Sequence, residues 1–411
     1  MSSETQSENI IIVGASHAAS QVSISLRQGG FVGNITMIGD EEHVPYHHPP
    51  LSKEFLSGNK TIEDILIRPQ SVYAKANVKL KLSTRVEAIE RATKTVLTDN
   101  GETLPYDKLI LTTGARVRHL KIPGEKLENV FYLRNSEDVL GIKAKISDSK
   151  KAVIIGGGYI GLETAASLRK QGLEVIIIEA MPRILQRVTA PELSTFYKRI
   201  HIEEGVRIIE GVMASAIHED GTELKVQTVC GQEFLADFVV IGIGVIPNLE
   251  LAADAGLTTS NGIEVNEFCQ SSDPDIYAAG DVTWHFNPIY GSKLRLESVP
   301  NATEQAKTVA NHINGVEKPY TALPWFWSDQ YDLKLQIAGL SADYNEIIIR
   351  GDIDSGRSFS VFYFKGDTFL AVDAVNSPRD FMFGRQVLSK GLQIKKSIVA
   401  DIEADLKSAV E

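Results

Sequence analysis

The chain has 411 residues, 43% hydrophobic and 23% charged, a balance that fits globular domains and, by length, two or three of them. With 53 acidic against 42 basic residues the formal charge is −11, which argues against a nucleic-acid binder working by broad phosphate neutralisation. The polar opening "MSSETQSEN" lacks the basic and apolar regions of a targeting peptide, and no apolar run approaches the roughly 20 residues of a membrane span, so a cytoplasmic location is expected.

The first element is "NIIIVGASHAASQVSISLRQGGFVGNITMIGD", Asn9 to Asp40. It reads as a buried parallel strand, a short loop carrying Gly14, Ser16 and Ala19, a helix to about Gln28, and a second strand ending at Asp40 and Glu41. This is the order of a dinucleotide-binding unit, with serine at the second glycine position and alanine at the third. The alanine is an accepted variant, and the Ser16 hydroxyl is expected to donate to a phosphate oxygen. Next comes "YHHPPLSKEFL", Tyr46 to Leu56; the spacing of His43, His47 and His48 matches no metal-binding pattern, and no metal is expected there.

The second copy is "KAVIIGGGYIGLETAASLRKQGLEVIIIEA", Lys151 to Ala180. Here Gly156, Gly158 and Gly161 keep the full G-x-G-x-x-G spacing, for a tight turn, close approach of a pyrophosphate, and helix packing on the strand. The helix from Tyr159 points its amides and positive dipole end at phosphate. Glu179, closing the following strand, is placed to hydrogen-bond the adenosine ribose and to repel a 2′-phosphate, which favours NADH over NADPH. Arg183, four residues on, argues the other way. "LPYDKLILTTGA" and "ADFVVIGIGV" are matching strands that leave the two copies, as an inserted duplicate requires. Two such units imply two dinucleotides, most economically FAD and a nicotinamide cofactor, since a flavin accepts a hydride and releases single electrons.

The chain has two cysteines, Cys230 and Cys269, too far apart in sequence for a C-x-x-C pair. No thiol precedes Cys230, so none follows the first glycine loop. Disulfide reduction and thiol-based peroxide chemistry are disfavoured, and electrons are expected to leave directly for an outside acceptor.

Three stretches then carry a resemblance: "YHHPPLSKEFL", "YAAGDV" (Tyr277 to Val282), and the run from "RLESVPNATEQAKTVANHING" to "PWFWSDQYDLKLQIAGL" (Arg295 to Leu340). Together with "RVTAPELSTFY" and "GIGVIPN", they resemble the FAD-dependent ferredoxin reductases of the putidaredoxin reductase and rubredoxin reductase type, over about residues 9–388. The resemblance implies an α/β, glutathione-reductase-like layout. An FAD domain at 1–115 and 246–320 is split by an inserted NAD domain at 116–245, and an α+β C-terminal domain follows at 321–411. The NAD contacts are then Gly156, Gly158, Tyr159, Ile160, Gly161, Glu179 and Gly244.

For FAD it implies Gly14, Ser16, Ala18 and Ala19 at the pyrophosphate, Asp40 at the strand end, and Val86 and Arg134 as further contacts. Asp281 would bind the ribityl chain, the Val299 amide the flavin ring, and Trp327, with Pro324, would cover the ring. Lys53, paired with Glu163, would act near the flavin nitrogen that takes the hydride; a structural salt bridge is the alternative. Where many relatives have arginine before "PPLSK", this chain has His48, so with Ser16 the polar contacts to the pyrophosphate differ. The function implied is transfer of a hydride from NADH to FAD and of single electrons to a [2Fe-2S] ferredoxin feeding a monooxygenase or dioxygenase, from a monomer or weak dimer. Lys293, Arg295, Arg379 and Arg385 are candidates for a basic docking patch. Direct reduction of a quinone or small radical, and a redox-sensing role like that of apoptosis-inducing factor, stay open.

Overall fold

A computed structural model describes residues 8–411. The chain forms two units, the first taking residues up to His47, Glu63–Arg116 and Ile246–Pro324, the second His48–Ile62, Val117–Val245 and Trp325–Glu411.

In the first unit five parallel strands lie in the order Ile276–Ala278, Lys108–Leu111, Asn9–Val13, Asn34–Ile38, Val78–Lys81. The central "NIIIV" is apolar without alternation because both faces are covered. Ile10 and Ile12 pack with Val22 and Leu26 of the helix His17–Gln28 and with Ala306 and Val309 of the helix Val299–Ile313. Ile11 and Val13 pack on the other side with Val96 and Ala252.

The second unit repeats the plan, with strands Val206–Glu210, Glu174–Glu179, Lys151–Ile155, Phe238–Ile241 and Val130–Tyr132. In each copy a three-stranded antiparallel meander, Val86–Pro105 in one and Ala214–Ala236 in the other, leads into the strand beside the central one, Lys108–Leu111 and Phe238–Ile241 respectively. The copies differ at one edge: the outer strand comes last in the first unit (Ile276–Ala278) and first in the second (Val130–Tyr132).

The rest of the second unit is a five-stranded antiparallel sheet, in the order Trp325–Gln330, Leu333–Gly339, Thr368–Val375, Phe359–Lys365, Glu346–Gly351. The helix Pro378–Lys390 packs on it and stops at Gly391 in the left-handed conformation. Asp373 of this sheet is 1% exposed. Its carboxyl accepts hydrogen bonds from the Tyr363 hydroxyl at 2.6 Å and the Thr189 hydroxyl at 3.0 Å. Burial nevertheless outweighs those donors and pushes Asp373 up to about 7.

A group whose pKa is raised on folding holds its proton in the folded state over pH values at which the unfolded chain has lost it. Asp373 therefore costs stability progressively as pH rises from the ordinary carboxylate range through about 7. In thermal melts across that range, Asp373→Asn is expected to match the parent at acid pH and to melt several degrees higher at about pH 8. Equal melting temperatures at both ends would remove this account.

Candidate functional site

The two glycine loops are built by the same hydrogen bonds. Gly14 donates to the Ile38 carbonyl at 2.7 Å and Gly156 to the Ile178 carbonyl at 2.8 Å, tying each loop to the neighbouring strand. Ser16 and Gly158 are the N-caps of their helices, each with extended backbone and no side-chain cap, which leaves the amides of the first turn aimed out of the loop.

Within the second loop the glycines answer to different constraints. A Cβ on Gly161 would stand 2.1 Å from the Gly156 carbonyl oxygen, so the chain itself forbids one there. Among the described residues a Cβ on Gly158 would meet nothing within 4 Å. That space borders a helix N-terminus, as a phosphate requires. The Glu179 carboxylate stands over the loop, accepting from the Gly157 amide at 2.6 Å and the Met181 amide at 2.7 Å. Arg183 is engaged elsewhere: its guanidinium donates to the Thr189 carbonyl at 2.8 Å, the Gln186 carbonyl at 3.2 Å and the Ser194 hydroxyl. Tyr159 packs its ring 4.9 Å from Phe326, and its hydroxyl is buried with no hydrogen-bond partner among the described residues. Ile160 is exposed, and Gly244 lies beside the Arg187 guanidinium.

On the helix that leaves this loop, Glu163 is 5% exposed. Lys53 donates to its Oε2 at 2.6 Å, as does the Ser52 hydroxyl, and the Ser328 hydroxyl donates to Oε1 at 2.7 Å. The two prolines of the turn Pro49–Ser52 fix its course, and the Ser52 carbonyl accepts from Ser167 of the same helix at 2.6 Å. Lys53 is anchored further by the Pro49 carbonyl at 2.9 Å. The pairing of Lys53 with Glu163 is thus present; Ser52 and Ser328 are contacts that sequence reasoning missed. Adjacency to Lys53 was a signal for Ser52, whereas nothing local marks Ser328.

In the first unit the loop Gly14–Ala19, the "AAGDV" turn and the helix Val299–Ile313 converge. A Cβ on Gly280 would lie 3.6 Å from the Cβ atoms of both Ala18 and Ala302, and the Gly280 amide donates to the Gln305 side chain at 2.8 Å. Asp281, half-buried, follows this junction, and Val299 opens its helix behind Ser298, whose hydroxyl accepts from the Asn301 amide at 3.3 Å. Small residues at the crossing and two helix N-termini in one unit fit a bound dinucleotide diphosphate. Asp40 is exposed and pairs with Arg85 at 2.9 Å, while Glu41, next to it, accepts from the Tyr46 hydroxyl at 2.5 Å. Val86 is buried at the start of the meander. Arg134 and Trp327 belong to the second unit; the Arg134 amide is held by Asp138 at 2.8 Å, and the Trp327 ring lies 5.4 Å from that of Trp325. Cys230 is exposed in a turn of the second meander, and Cys269 is buried in the core of the first unit.

Residues 8–306 match the family model described as pyridine nucleotide-disulphide oxidoreductase, and residues 325–410 match the reductase C-terminal domain. The chain belongs to the pyridine nucleotide-disulphide oxidoreductase family, whose cofactors are FAD and a pyridine dinucleotide. It is 41% identical to putidaredoxin reductase from Pseudomonas putida over 98% of this chain and 97% of that protein. Among solved structures it is similar to a ferredoxin reductase from Rhodopseudomonas palustris, with a TM-score of 0.95 and 40% identity over 98% of this chain and 100% of the other. It is also similar to the reductase in a covalent putidaredoxin reductase–putidaredoxin complex, with a TM-score of 0.94 and 41% identity over 98% of each chain.

The contrast between Gly158 and Gly161 is open to measurement. Gly161→Ala is expected to lower stability by about 2 kcal/mol or more through overpacking, and Gly158→Ala to leave it within about 0.5 kcal/mol. Denaturant unfolding of the two variants checks this; equal losses would show that both glycines serve the scaffold.

Proposed function

We infer that this protein is an NADH-dependent, FAD-containing ferredoxin reductase, which takes a hydride from NADH and delivers single electrons to a [2Fe-2S] ferredoxin of an oxygenase system. The observation that carries this is the similarity along the whole chain, the C-terminal sheet included, to a reductase whose structure was solved in covalent complex with putidaredoxin. The cysteines agree with it: one is exposed on a hairpin and one is buried, and neither stands beside a glycine loop in sequence, so no thiol pair is offered as an internal acceptor.

FAD, when bound, supplies the capacity to accept a hydride and to release electrons singly. The first glycine loop, Gly14 to Ala19, with the Asp281 turn and the N-terminus of the Val299 helix, would hold it. The second loop, Gly156 to Gly161, would hold NADH, with Glu179 on the adenosine ribose. Preference for NADH is supported by the position of Glu179 and by the engagement of Arg183 with carbonyls, which withdraws the nearby cation that a 2′-phosphate would need. The Lys53–Glu163 pair, 2.6 Å apart, would orient the reacting dinucleotide and set a positive charge where the hydride arrives.

Of the four cations considered for ferredoxin docking, Lys293 pairs with Glu264 at 2.7 Å and Arg295 with Glu297 at 2.5 Å, so their charge is compensated. Arg379 and Arg385 are exposed on the helix Pro378–Lys390 with Met382 between them, and the Arg385 guanidinium lies over Trp325 at 5.3 Å from the ring centre. They are the better candidates for meeting an acidic carrier.

Stopped-flow bleaching of the FAD-loaded protein is expected to be about tenfold or more faster with NADH than with NADPH at equal concentration, as a carboxylate facing the 2′-phosphate would impose. Reoxidation is then expected to accelerate with at least one member of a panel of [2Fe-2S] ferredoxins, and Arg379→Glu with Arg385→Glu to weaken that acceleration most at low salt. Acceleration by quinones but by no ferredoxin would replace this reading with direct small-molecule reduction.

A further inference from the structure

Behind Glu163 a line of buried polar side chains crosses the second unit. Ser328 and Gln330 are alternate residues of the strand Trp325–Gln330 and share one face of it, and His201 lies on the helix Pro191–Glu203. The Ser328 hydroxyl lies 2.7 Å from Glu163 Oε1, and Gln330 Nε2 lies 3.2 Å from the Ser328 oxygen. His201 Nε2 is 2.8 Å from Gln330 Oε1, and the Tyr331 hydroxyl is 3.2 Å from His201 Nδ1. Ser328, Gln330 and His201 are each 2% exposed or less, so none of these groups has bulk water as a substitute partner.

One charge fixes the direction of every bond in the line. The Glu163 carboxylate, paired with the Lys53 ammonium, only accepts, so the Ser328 hydroxyl must donate to it. Ser328 then has lone pairs alone to offer Gln330, which must turn its amide nitrogen toward the serine and its oxygen toward His201. His201 must therefore carry its proton on Nε2 and accept from Tyr331 at Nδ1. Burial holds the His201 pKa down to about 4, so the ring is neutral at neutral pH and this tautomer question is real.

We propose that Ser328, Gln330 and His201 are positioning residues for the reductive half-reaction: a one-way hydrogen-bond chain that ends on Glu163 Oε1 and, opposite Ser52 and Lys53 on Oε2, locks the carboxylate in the orientation hydride transfer requires. Because the amide of Gln330 cannot pass a proton on, the chain polarises and orients and does not conduct. This rests on the assignment of Glu163 to hydride transfer, and the test separates the two.

The experiment uses the FAD-loaded full chain. In protein labelled with 15N-histidine, long-range proton–nitrogen spectra at neutral pH, with His201→Gln supplying the assignment, are expected to show His201 protonated on Nε2; protonation on Nδ1 reverses the chain and overturns the proposal whatever the kinetics. In stopped flow, Ser328→Ala is expected to lower the limiting rate of flavin reduction by NADH about tenfold, the worth of one hydrogen bond to a charged group, with little change in the NADH concentration for half-saturation. Gln330→Met is expected to lower it about threefold, and the double variant to be no slower than Ser328→Ala, because links of one chain are not additive. Independent, multiplying losses would mean that the residues support the fold and nothing more. If Glu163→Gln leaves the limiting rate at the parent value, the assignment of Glu163 fails. If it slows reduction while Ser328→Ala and Gln330→Met do not, only the positioning role falls.

Discussion

A carboxylate taken out of water has to be given its hydrogen bonds back, and at Glu163 that requirement organises residues from three distant parts of the chain. Lys53 and Ser52 fill one oxygen and Ser328 fills the other, so a proline-stiffened turn, the helix after a glycine loop and the first strand of the C-terminal sheet are held to one point. Such a pair adds little net stability over an apolar substitute, because desolvation absorbs most of the attraction. What it supplies is a single permitted arrangement, since removing Lys53 leaves a buried charge and removing Ser328 deprives Oε1 of its donor. An arrangement kept at that cost fits a site where orientation matters for chemistry more than a site that only has to hold together.

The duplicated sheet shows how the same local rules serve two different neighbourhoods. Both copies place a strand, a turn pinned to the adjacent strand and a helix N-terminus in the same relation, down to the hydrogen bond from the first glycine. They part at the sheet edge, where the outer strand is supplied from later in the chain in the first unit and from earlier in the second. Insertion of one copy into the other accounts for the late strand of the first sheet, because Ile276–Ala278 follows only after all five strands of the inserted sheet, from Val130 to Ile241, have been made.

Much of this was legible in the sequence, where the signal was local and periodic. Apolar runs such as "NIIIV" and "KAVII" marked strands covered on both faces, and the glycine spacing marked the turn between strand and helix. The pairing of Lys53 with Glu163 came from resemblance to a family, since 110 residues separate them and no spacing rule joins them. Ser328 escaped because a serine within "WFWSDQ" carries no sign of what it faces; only the sheet register shows that it and Gln330 turn to the same side. Arg183 stood in sequence as the argument against NADH, because its position allowed a phosphate contact; its donors go instead to nearby carbonyls of the loop before the helix Pro191–Glu203, which no spacing rule could show. The surroundings of long polar side chains are a tertiary property, and sequence gives their reach without their destination.

The empty neighbourhood of Gly158 has a practical side. Since a Cβ built there meets nothing within 4 Å among the described residues and the backbone is extended, the scaffold does not require glycine at this position, and Ser16 at the corresponding place in the first copy is a natural instance of its occupation. A graded series of side chains at residue 158 would narrow the phosphate corridor in small steps while the scaffold stayed constant. With NADH bound there as proposed, the second loop offers a dial for the residence time of the exchanging dinucleotide, a quantity that most active-site substitutions cannot vary without also disturbing the framework that holds the site.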